Sequence, residues 1–530
     1  MSNNDSQLSL IFPPEILKMV EANEGDLPIE ASDTFTRFLF FVATSTVKNS
    51  SPHTAKDIAV PSVSGPLEKF EFIPGYINYV PLDEDVAPKP VSSANSATNG
   101  PNVLSTILSS PVVDEFRQWQ NKEAAEKVIA DHLIGLQPEA LELWTDVTSD
   151  ATITNLAFQG MAAHLLVPVT GQGNVAFKVV LASLGEVPVR DGNERMGATA
   201  HFDADRNLLS IYVSNDDATY VPGDDIWEHA KWHFRSAVFA YVTIADHLSA
   251  LHLCVSELTM ESSREQLPAD HPLRRLLKPH VYLAGQTQTT AIRALAPEGG
   301  IAHRLWPFTF EGLAKLLKQG AESQPFEPFP KWLEKSGLAN LSDEKYPFAT
   351  DGLALYEVCR EYVENYLEIY FPGESIVSDA AVQAWWEQLA TTVAGSGLGA
   401  LQTRAQLVDL VAQIIFAVSG WHSHVGADTR YLADPSFVGA KVRAGSELAD
   451  IQSTILIYSL NAVTGLYQPK LLDDFTHVYL KLHKEKAVEV FQQFQKSLIA
   501  LGRDIDSRNE SRSMPLRTFH PAVLDTAVSK

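Results

Sequence analysis

The chain has 530 residues, of which 45% are hydrophobic, enough apolar material for one large domain or a few smaller ones. Its 41 basic and 65 acidic residues give a formal net charge of −24, which argues against nucleic acid as a partner and against electrostatic binding to anionic membranes. Two cysteines, Cys254 and Cys359, provide no disulfide framework, so a reduced cytoplasmic location is the default expectation.

The N-terminus lacks the basic and apolar regions of a secretory signal, and no stretch approaches roughly 18 uncharged apolar residues. The sequence therefore predicts a soluble protein without an integral membrane span. Residues 1–150 are predicted as an N-terminal region of helices and loops that packs on a larger domain of residues 151–530. Helices are expected at Pro13–Ala22 and Phe35–Lys48, and an exposed Pro- and Ser-rich loop at Val86–Asn102.

The larger domain is predicted to be mainly α, with a few short strands at its beginning. Runs rich in β-branched residues at Asn174–Leu184 and Asn207–Val213, flanked by Gly, Asp and Asn, indicate a small sheet. Apolar residues then recur with a period of 3.6 residues, which predicts a series of long helices. These helices are expected at residues 224–262, 270–295, 308–320, 350–371, 376–395, 401–425, 446–465 and 473–502.

Two histidine pairs are candidates for metal binding. His229 and His233, in WEHAKWH, have the i,i+4 spacing that zinc-binding histidines use on a helix. Ala230 stands where a metalloprotease would need Glu, and we interpret this pair as partly exposed helix histidines.

The second pair, His247 and His252, lies five residues apart in an apolar helical segment. On a regular α-helix this spacing points the rings in directions about 140° apart, whereas a π-helical turn would bring them to one face. Taken alone, the pair is explained more simply as two unrelated core histidines. A third candidate, His422, also lies on an apolar helix, with His424 two residues further on.

Several longer segments resemble the lipoxygenase family. Ala230–His252 is similar to the family stretch that begins with Ala-Lys and ends with two iron-binding histidines five residues apart. Further similarities follow in chain order at Arg264–His280, Gly299–Gly300, Tyr346–Phe371, Val382–Trp386, Ser419–Val425 and Arg508–Lys530. The resemblance is clear over residues 215–530 and weak over the first 150, where no β-barrel lipid-docking domain is evident.

The resemblance implies one non-haem iron per chain, with manganese as an alternative. The matching ligands are His247, His252 and His422, together with the α-carboxylate of Lys530, because lipoxygenases ligate iron with their C-terminal residue. A register with His424 as the third ligand would put Asp428 at the fourth-ligand spacing. The flanking residues fit only the His422 register, which we therefore prefer.

Three positions depart from the family pattern. Gly426 replaces the weak Asn, His or Ser ligand, Lys530 replaces a terminal Ile, and Val242-Thr243 replaces a frequent His-Gln pair. The last change alters a hydrogen bond toward the ligands and substrate, and Thr243 is a candidate substrate contact. Leu248, directly after the first ligand, matches a family leucine that presses on the substrate.

The implied activity is that of an oxidoreductase that inserts O₂ into a polyunsaturated fatty acid or related polyene. Hydrogen abstraction at a metal hydroxide would give a pentadienyl radical, and O₂ addition would give a hydroperoxide. Two alternatives stay open. The same scaffold could act on an altered substrate or as a hydroperoxide isomerase, or the chain could be a non-catalytic lipid-binding homologue.

Overall fold

A computed structural model describes residues 53–69, 77, 80–81, 84, 149–290, 301–323, 326–392, 396–426, 440–442, 444–445, 468–513 and 515–528. Several sequence predictions lie outside the described residues, namely the helices at Pro13–Ala22, Phe35–Lys48 and 446–465, the loop at Val86–Asn102, Gly299–Gly300, Asp428 and Lys530. The division into regions 1–150 and 151–530 stays a prediction.

The strands form one antiparallel sheet in which each strand pairs with the next along the chain. They are β1 (Leu166–Gln172), β2 (Val175–Val180), β3 (Ala198–Phe202), β4 (Leu208–Val213) and β5 (Ala218–Tyr220). Gly173 and Asn174 join β1 to β2, and the φ of +61° at Gly173 suits the left-handed conformation that two-residue hairpin loops need. The predicted small sheet is confirmed. The two expected runs form β2 and β4, and the sheet also contains β1, β3 and β5.

The remaining elements are mainly helices. They are α1 (Asp150–Phe158), α2 (Trp227–Gln266), α3 (Pro272–Leu277), α4 (Ala284–Thr290), α5 (Ile301–Leu305), α6 (Phe310–Ala321), α7 (Phe329–Ser336), α8 (Pro347–Tyr370), α9 (Ala380–Thr392), α10 (Arg404–Val425) and α11 (Lys484–Asn509). Short 3₁₀ turns at Ala55–Asp57, Ala163–Leu165, Ala182–Glu186, Lys278–Val281, Ser375–Ser378 and Thr476–Val478 connect them.

Local sequence signals explain where several helices begin and end. The side chain of Thr403 caps α10 and forms a reciprocal capping box with Gln406. Thr309 caps α6 by accepting a hydrogen bond from the Gly312 N–H, and α8 begins with Pro347. These caps satisfy backbone N–H groups that the first helical turn leaves without an intrahelical partner.

Two predicted helices differ from the structure. The segment 270–295 is divided into α3 and α4 by the turn at Lys278–Val281, where Pro279 cannot donate an intrahelical hydrogen bond. The segment 473–502 becomes helical only at Lys484, because His483 has a φ of +55° and therefore stands outside the right-handed helical region.

Helices α2 and α10 are central to the fold. Both are long and apolar enough, by length and composition alone, to cross a membrane. Most of each lies inside the protein, with 72% and 78% of the two apolar windows buried. A helix that is apolar on all sides is expected in the core of a large domain as well as in a membrane.

Candidate metal centre

Three predicted ligands come together where α2 meets α10. The Nε2 atom of His247 lies 2.9 Å from that of His422 and 3.0 Å from that of His252. The Nε2 atoms of His422 and His252 are 3.3 Å apart. His252 and His422 are buried, and His247 is partly exposed. The three rings thus direct one nitrogen each toward a common point.

The two histidines of α2 meet because the middle of this helix is π-helical. The π-helical segment runs from Val242 to Ser256 and contains both His247 and His252. With i→i+5 hydrogen bonding, residues five apart lie on one face of the helix, and their ring centroids are 4.7 Å apart. The π-turn hypothesis is confirmed, and the explanation as two unrelated core histidines is wrong. A second π-helical segment, Ala417–Trp421, directly precedes His422.

The donor set of this cluster fits a metal ion. Two nitrogens at right angles around an ion, each at about 2.1 Å from it, lie about 3 Å apart, which the observed separations match. The pKa of His252 is lowered well below its usual value by burial and by the neighbouring His247, so the ring is held in the neutral form that binds metals. Its buried Nδ1 has no hydrogen-bond partner among the described residues.

Gly426 leaves space beside the cluster. It stands four residues after His422, and its N–H donates to the His422 carbonyl at 2.8 Å. A Cβ atom at this position would lie 3.1 Å from His247 Nε2 and 2.8 Å from the His422 carbonyl oxygen. A side chain here would therefore start directly beside the ligand nitrogens, and glycine leaves this position open.

A hydrogen-bonded chain joins the two helices behind the cluster. Asp246, next to His247, accepts from His164 Nε2 at 2.8 Å, and His164 Nδ1 lies 2.8 Å from His424 Nε2. His424 therefore contacts His164 and not the common point of the three ligands, which supports the His422 register. Asp246 and His164 were not identified from the sequence, because no motif indicates contacts across 82 residues.

An aromatic layer packs around the end of α10. The rings of Phe348 and His424 have centroids 4.4 Å apart, and those of Phe416 and Phe519 are 5.7 Å apart. Phe329 stacks on Trp332, and Trp421 completes this layer by contacting both rings edge-on. Because aromatic rings interlock in offset and edge-on arrangements, this packing fixes the helix that carries His422.

Helix α6 lies directly against the π-helical segment. Gly320 allows this approach, since an added Cβ would meet the Ala245 carbonyl oxygen at 2.1 Å and the Ser249 Cβ at 2.6 Å. The Ser249 hydroxyl also donates to the Leu317 carbonyl. The residues between His247 and His252 are therefore held from outside by a second helix.

The C-terminal segment runs into the buried interior. Asp525 pairs with Lys470 Nζ at 2.6 Å, and the Thr526 carbonyl accepts from His280 Nδ1 at 3.1 Å. Thr526 and Val528 are fully buried. Lys530 itself lies outside the described residues, so its predicted role is not tested.

The other predicted residues are placed as follows. Leu248 is partly exposed, and Thr243 carries a buried hydroxyl with no hydrogen-bond partner among the described residues. Cys254 is buried, and burial raises its thiol pKa to about 12. Trp385 and Trp386 lie in the core.

The interpretation of His229 and His233 needs correction. His233 is completely buried, and both rings contact the carboxylate of Glu194. No motif in the sequence indicates this carboxylate, which comes from the loop before β3. His229 is partly exposed, as expected.

The comparisons with known proteins agree on one family. The family described as Lipoxygenase matches residues 202–431. A linoleate 13S-lipoxygenase 2-1, chloroplastic, from Solanum tuberosum is 30% identical over 41% of this chain and 26% of its own length. A polyunsaturated fatty acid (12S)/(13S)-lipoxygenase, epidermal-type, from Mus musculus is 26% identical over 58% of this chain and 50% of its own length. The chain thus spans half or less of these curated relatives.

Solved structures show the same fold. A calcium-dependent 11R-lipoxygenase has a TM-score of 0.71 at 17% identity, covering 92% of this chain and 80% of its own. The manganese lipoxygenase of Gaeumannomyces graminis has a TM-score of 0.63 at 16% identity, covering 83% of this chain and 89% of its own. The predicted mainly α, lipoxygenase-like fold is confirmed, and residues 202–431 match the lipoxygenase family.

Proposed function

We propose that this chain is a metal-dependent dioxygenase that inserts O₂ into a polyunsaturated fatty acid and releases a hydroperoxide. The observation that carries the proposal is the convergence of three imidazole Nε2 atoms within 3.3 Å of one another on two buried helices. The names of the potato and mouse relatives supply the substrate class, linoleate and polyunsaturated fatty acids.

Iron is the proposed metal, and manganese is the alternative suggested by the similar fungal enzyme. Three neutral imidazoles and one carboxylate suit iron, and a single anionic ligand favours an oxidising trivalent state. We propose His247, His252, His422 and the α-carboxylate of Lys530 as the ligands. The buried course of Thr526 and Val528, just before the end of the sequence, supports the last of these.

Bound iron would supply the one-electron oxidation that hydrogen abstraction from a fatty acid requires. The chain itself would hold and orient the acyl chain and exclude water from the radical. We propose that Leu248, directly after His247, and Thr243, four residues before it, contact the acyl chain. The Thr243 hydroxyl, which has no hydrogen-bond partner in the described part of the chain, supports this role.

The proposed location is the cytoplasm, because the two cysteines, Cys254 and Cys359, provide no disulfide framework. The potato relative is described as chloroplastic, so location varies among similar proteins. Fluorescence microscopy of the tagged full chain against organelle markers tests this point, with the tag at the N-terminus because the C-terminal carboxylate is a proposed ligand.

A second candidate function is the same scaffold with altered chemistry, either a changed polyene substrate or hydroperoxide isomerisation. Gly426 favours it, because the position that starts beside His247 Nε2 has no side chain there to coordinate the metal. The non-catalytic alternative has less support, since three inward-facing histidines in a buried site are costly to keep without a ligand.

Elemental analysis of protein without C-terminal additions tests the proposal, together with conjugated-diene absorbance on linoleate and arachidonate. We expect near-stoichiometric iron and diene formation in the wild type, and loss of both in His422→Ala. His201→Gln is the matched control. His201 lies on β3, and its imidazole ring forms a hydrogen bond only with the Ser210 hydroxyl among the described residues. This variant should keep both signals.

The outcomes separate the alternatives. Iron without dienes, combined with turnover of fatty-acid hydroperoxides or another polyene in product analysis, would favour the altered-chemistry candidate. Wild-type protein that takes up neither iron nor manganese would contradict the enzyme proposal. A single glycine added after Lys530 should also abolish metal binding, because it moves the terminal carboxylate; unchanged iron content would exclude Lys530 as a ligand.

A further inference from the structure

A second cluster of metal-binding residues lies outside the three-histidine site. Glu194 Oε2 is 2.7 Å from His233 Nε2 and 3.2 Å from His229 Nε2. The ligand atoms of all three residues lie within 4.8 Å of one another. The histidines come from the first turns of α2, and the glutamate comes from the loop before β3.

The residue types and their spacing match those of zinc sites. Residues four apart on an α-helix share one face, so His229 and His233 direct both rings to the same side. The ring centroids are 4.8 Å apart. Two imidazoles and one carboxylate form a ligand set that binds zinc and leaves a fourth position open.

Burial gives this cluster a closed side and an open side. The His233 side chain is fully buried and that of Glu194 is 12% exposed, whereas the His229 side chain is 24% exposed. An ion could therefore enter beside His229. Within the described residues, the buried Nδ1 of His233 has no hydrogen-bond partner, whereas its Nε2 contacts Glu194.

The charge at this position also suits a cation. The Glu194 carboxylate is the acidic member of the cluster, and its Oε2 meets two ring nitrogens that can bind a metal.

We propose that Glu194, His229 and His233 form a second metal site, which binds a divalent ion of the zinc class. The proposal does not depend on the proposed dioxygenase activity. His233 and His247 are 14 residues apart on α2, which separates the two sites by roughly 20 Å at the usual helical rise. No residue is shared between them.

A metal ion bound here would link α2 to the loop that carries Glu194, and that loop is in turn hydrogen-bonded to Val442 and Ala444. Glu194 N–H donates to the Val442 carbonyl at 2.9 Å, and Ala444 N–H donates to the Gly192 carbonyl at 3.0 Å. The loop that carries Glu194 is therefore bonded to Val442 and Ala444 on one side and faces α2 on the other. A bound ion would fix this loop, and with it Val442 and Ala444, to the helix that leads into the histidines of the first site.

Zinc titration of metal-stripped full-length protein, with a chromogenic competitor, tests the proposal. The wild type should bind two zinc ions per chain, because the three-histidine site also accepts zinc once stripped. His229→Gln should bind one, since it removes a partly exposed ligand with little disturbance of the core. Glu194→Gln should likewise lower the affinity of one ion at least about tenfold.

Two further variants assign each ion to its site. His422→Ala should lose the other zinc ion and keep the one that His229→Gln removes. His201→Gln, a histidine change outside both clusters, should keep two. Cobalt offers an independent readout, since the His229→Gln variant should lose part of the visible cobalt absorption of the wild type.

Thermal unfolding provides a measurement that does not depend on stoichiometry. Excess zinc should raise the Tm of the iron-loaded wild type and leave that of iron-loaded His229→Gln unchanged, because only a ligand that binds the folded state stabilises it. If His229→Gln and Glu194→Gln bind as many zinc ions as the wild type, with the same affinity, the second site does not exist and the cluster is an ion pair. That result would leave the proposed iron site untouched, whereas a wild type that binds only the zinc ion removed by His229→Gln would argue against the iron site.

Discussion

The Nε2 atoms of His247 and His252 lie 3.0 Å apart although five residues separate these histidines in the chain. A regular α-helix would point the two rings apart, and the π-helical segment Val242–Ser256 brings them to one face. A π-helix is less stable than an α-helix, so contacts from outside must hold it. Helix α6 makes such a contact at Gly320, where it approaches the backbone of Ala245.

We predict that Gly320→Ala disturbs the metal centre from a distance. The new Cβ would meet the Ala245 carbonyl oxygen at 2.1 Å, so α6 or the π-helical segment must move. Overpacking of this kind lowers the free energy of unfolding by about 1–3 kcal/mol. Urea unfolding should show this loss, and metal analysis should show reduced iron retention.

Gly399→Ala is the control for this change, because a Cβ at Gly399 meets nothing within 4 Å. That variant should match the wild type in unfolding and metal content. Equal behaviour of the two variants would mean that α6 does not support the π-helical segment.

The sequence predicted the central ligands and helices because their signals are local. Apolar periodicity predicted α2 and α10, and the resemblance to lipoxygenases predicted His247, His252 and His422 as metal ligands. The π-helical segment is 15 residues long, far more than the single turn expected, because its length depends on packing against α6. His164 and Glu194 were missed because each reaches its partners only through the tertiary fold. The burial of His233 was missed for the same reason.

The contact between His164 and Asp246 predicts that removal of either side chain lowers the free energy of unfolding. His164→Leu would leave the Asp246 carboxylate, which is 9% exposed, without its imidazole partner. Breaking one side of such a buried polar pair lowers the free energy of unfolding by about 3 kcal/mol. A double-mutant cycle with Asp246→Asn measures the coupling, and the double variant should be less destabilised than the sum of the single variants. Strict additivity of the two changes would argue that the pair makes no energetic contribution.

The ion pairs of Arg512 predict a strong link between the C-terminal segment and the start of α8. Arg512 bonds Asp351 at 2.7 Å and Asp343 at 2.5 Å, and Asp351 is fully buried. Arg512→Ala leaves that carboxylate with Arg508 as its remaining cationic partner in the described part of the chain. Removing one member of a buried ion-pair network lowers the free energy of unfolding by about 3–5 kcal/mol.

A surface arginine provides the comparison for Arg512. Arg360 pairs with Asp409 at 2.9 Å, with side-chain exposures of 31% and 28%. Arg360→Ala should cost no more than about 1 kcal/mol, the usual range for a solvent-accessible pair. Chemical denaturation of both variants in one buffer tests the contrast, and similar midpoints would show that burial of Asp351 does not decide the effect.

The burial of His280 predicts a pH dependence of stability. Burial lowers its pKa from 6.5 to about 4, although the hydrogen bond to the Thr526 carbonyl acts in the opposite direction. The unfolded chain takes up a proton on this histidine below pH 6.5, whereas the folded chain does so only near pH 4. The contribution of His280 to stability is therefore complete above pH 6.5 and declines as the pH falls toward 4, by about 3 kcal/mol in total.

Denaturation of the wild type and of His280→Gln from pH 7.5 to 4.5 isolates this contribution. Glutamine does not titrate, so the difference in unfolding free energy between the two proteins should shrink as the pH falls. Other titrating groups act on both proteins and cancel in the difference. A difference that stays constant over this range would mean that His280 has the same pKa in the folded and unfolded chain, and that its ring does not fix the C-terminal segment in its neutral form.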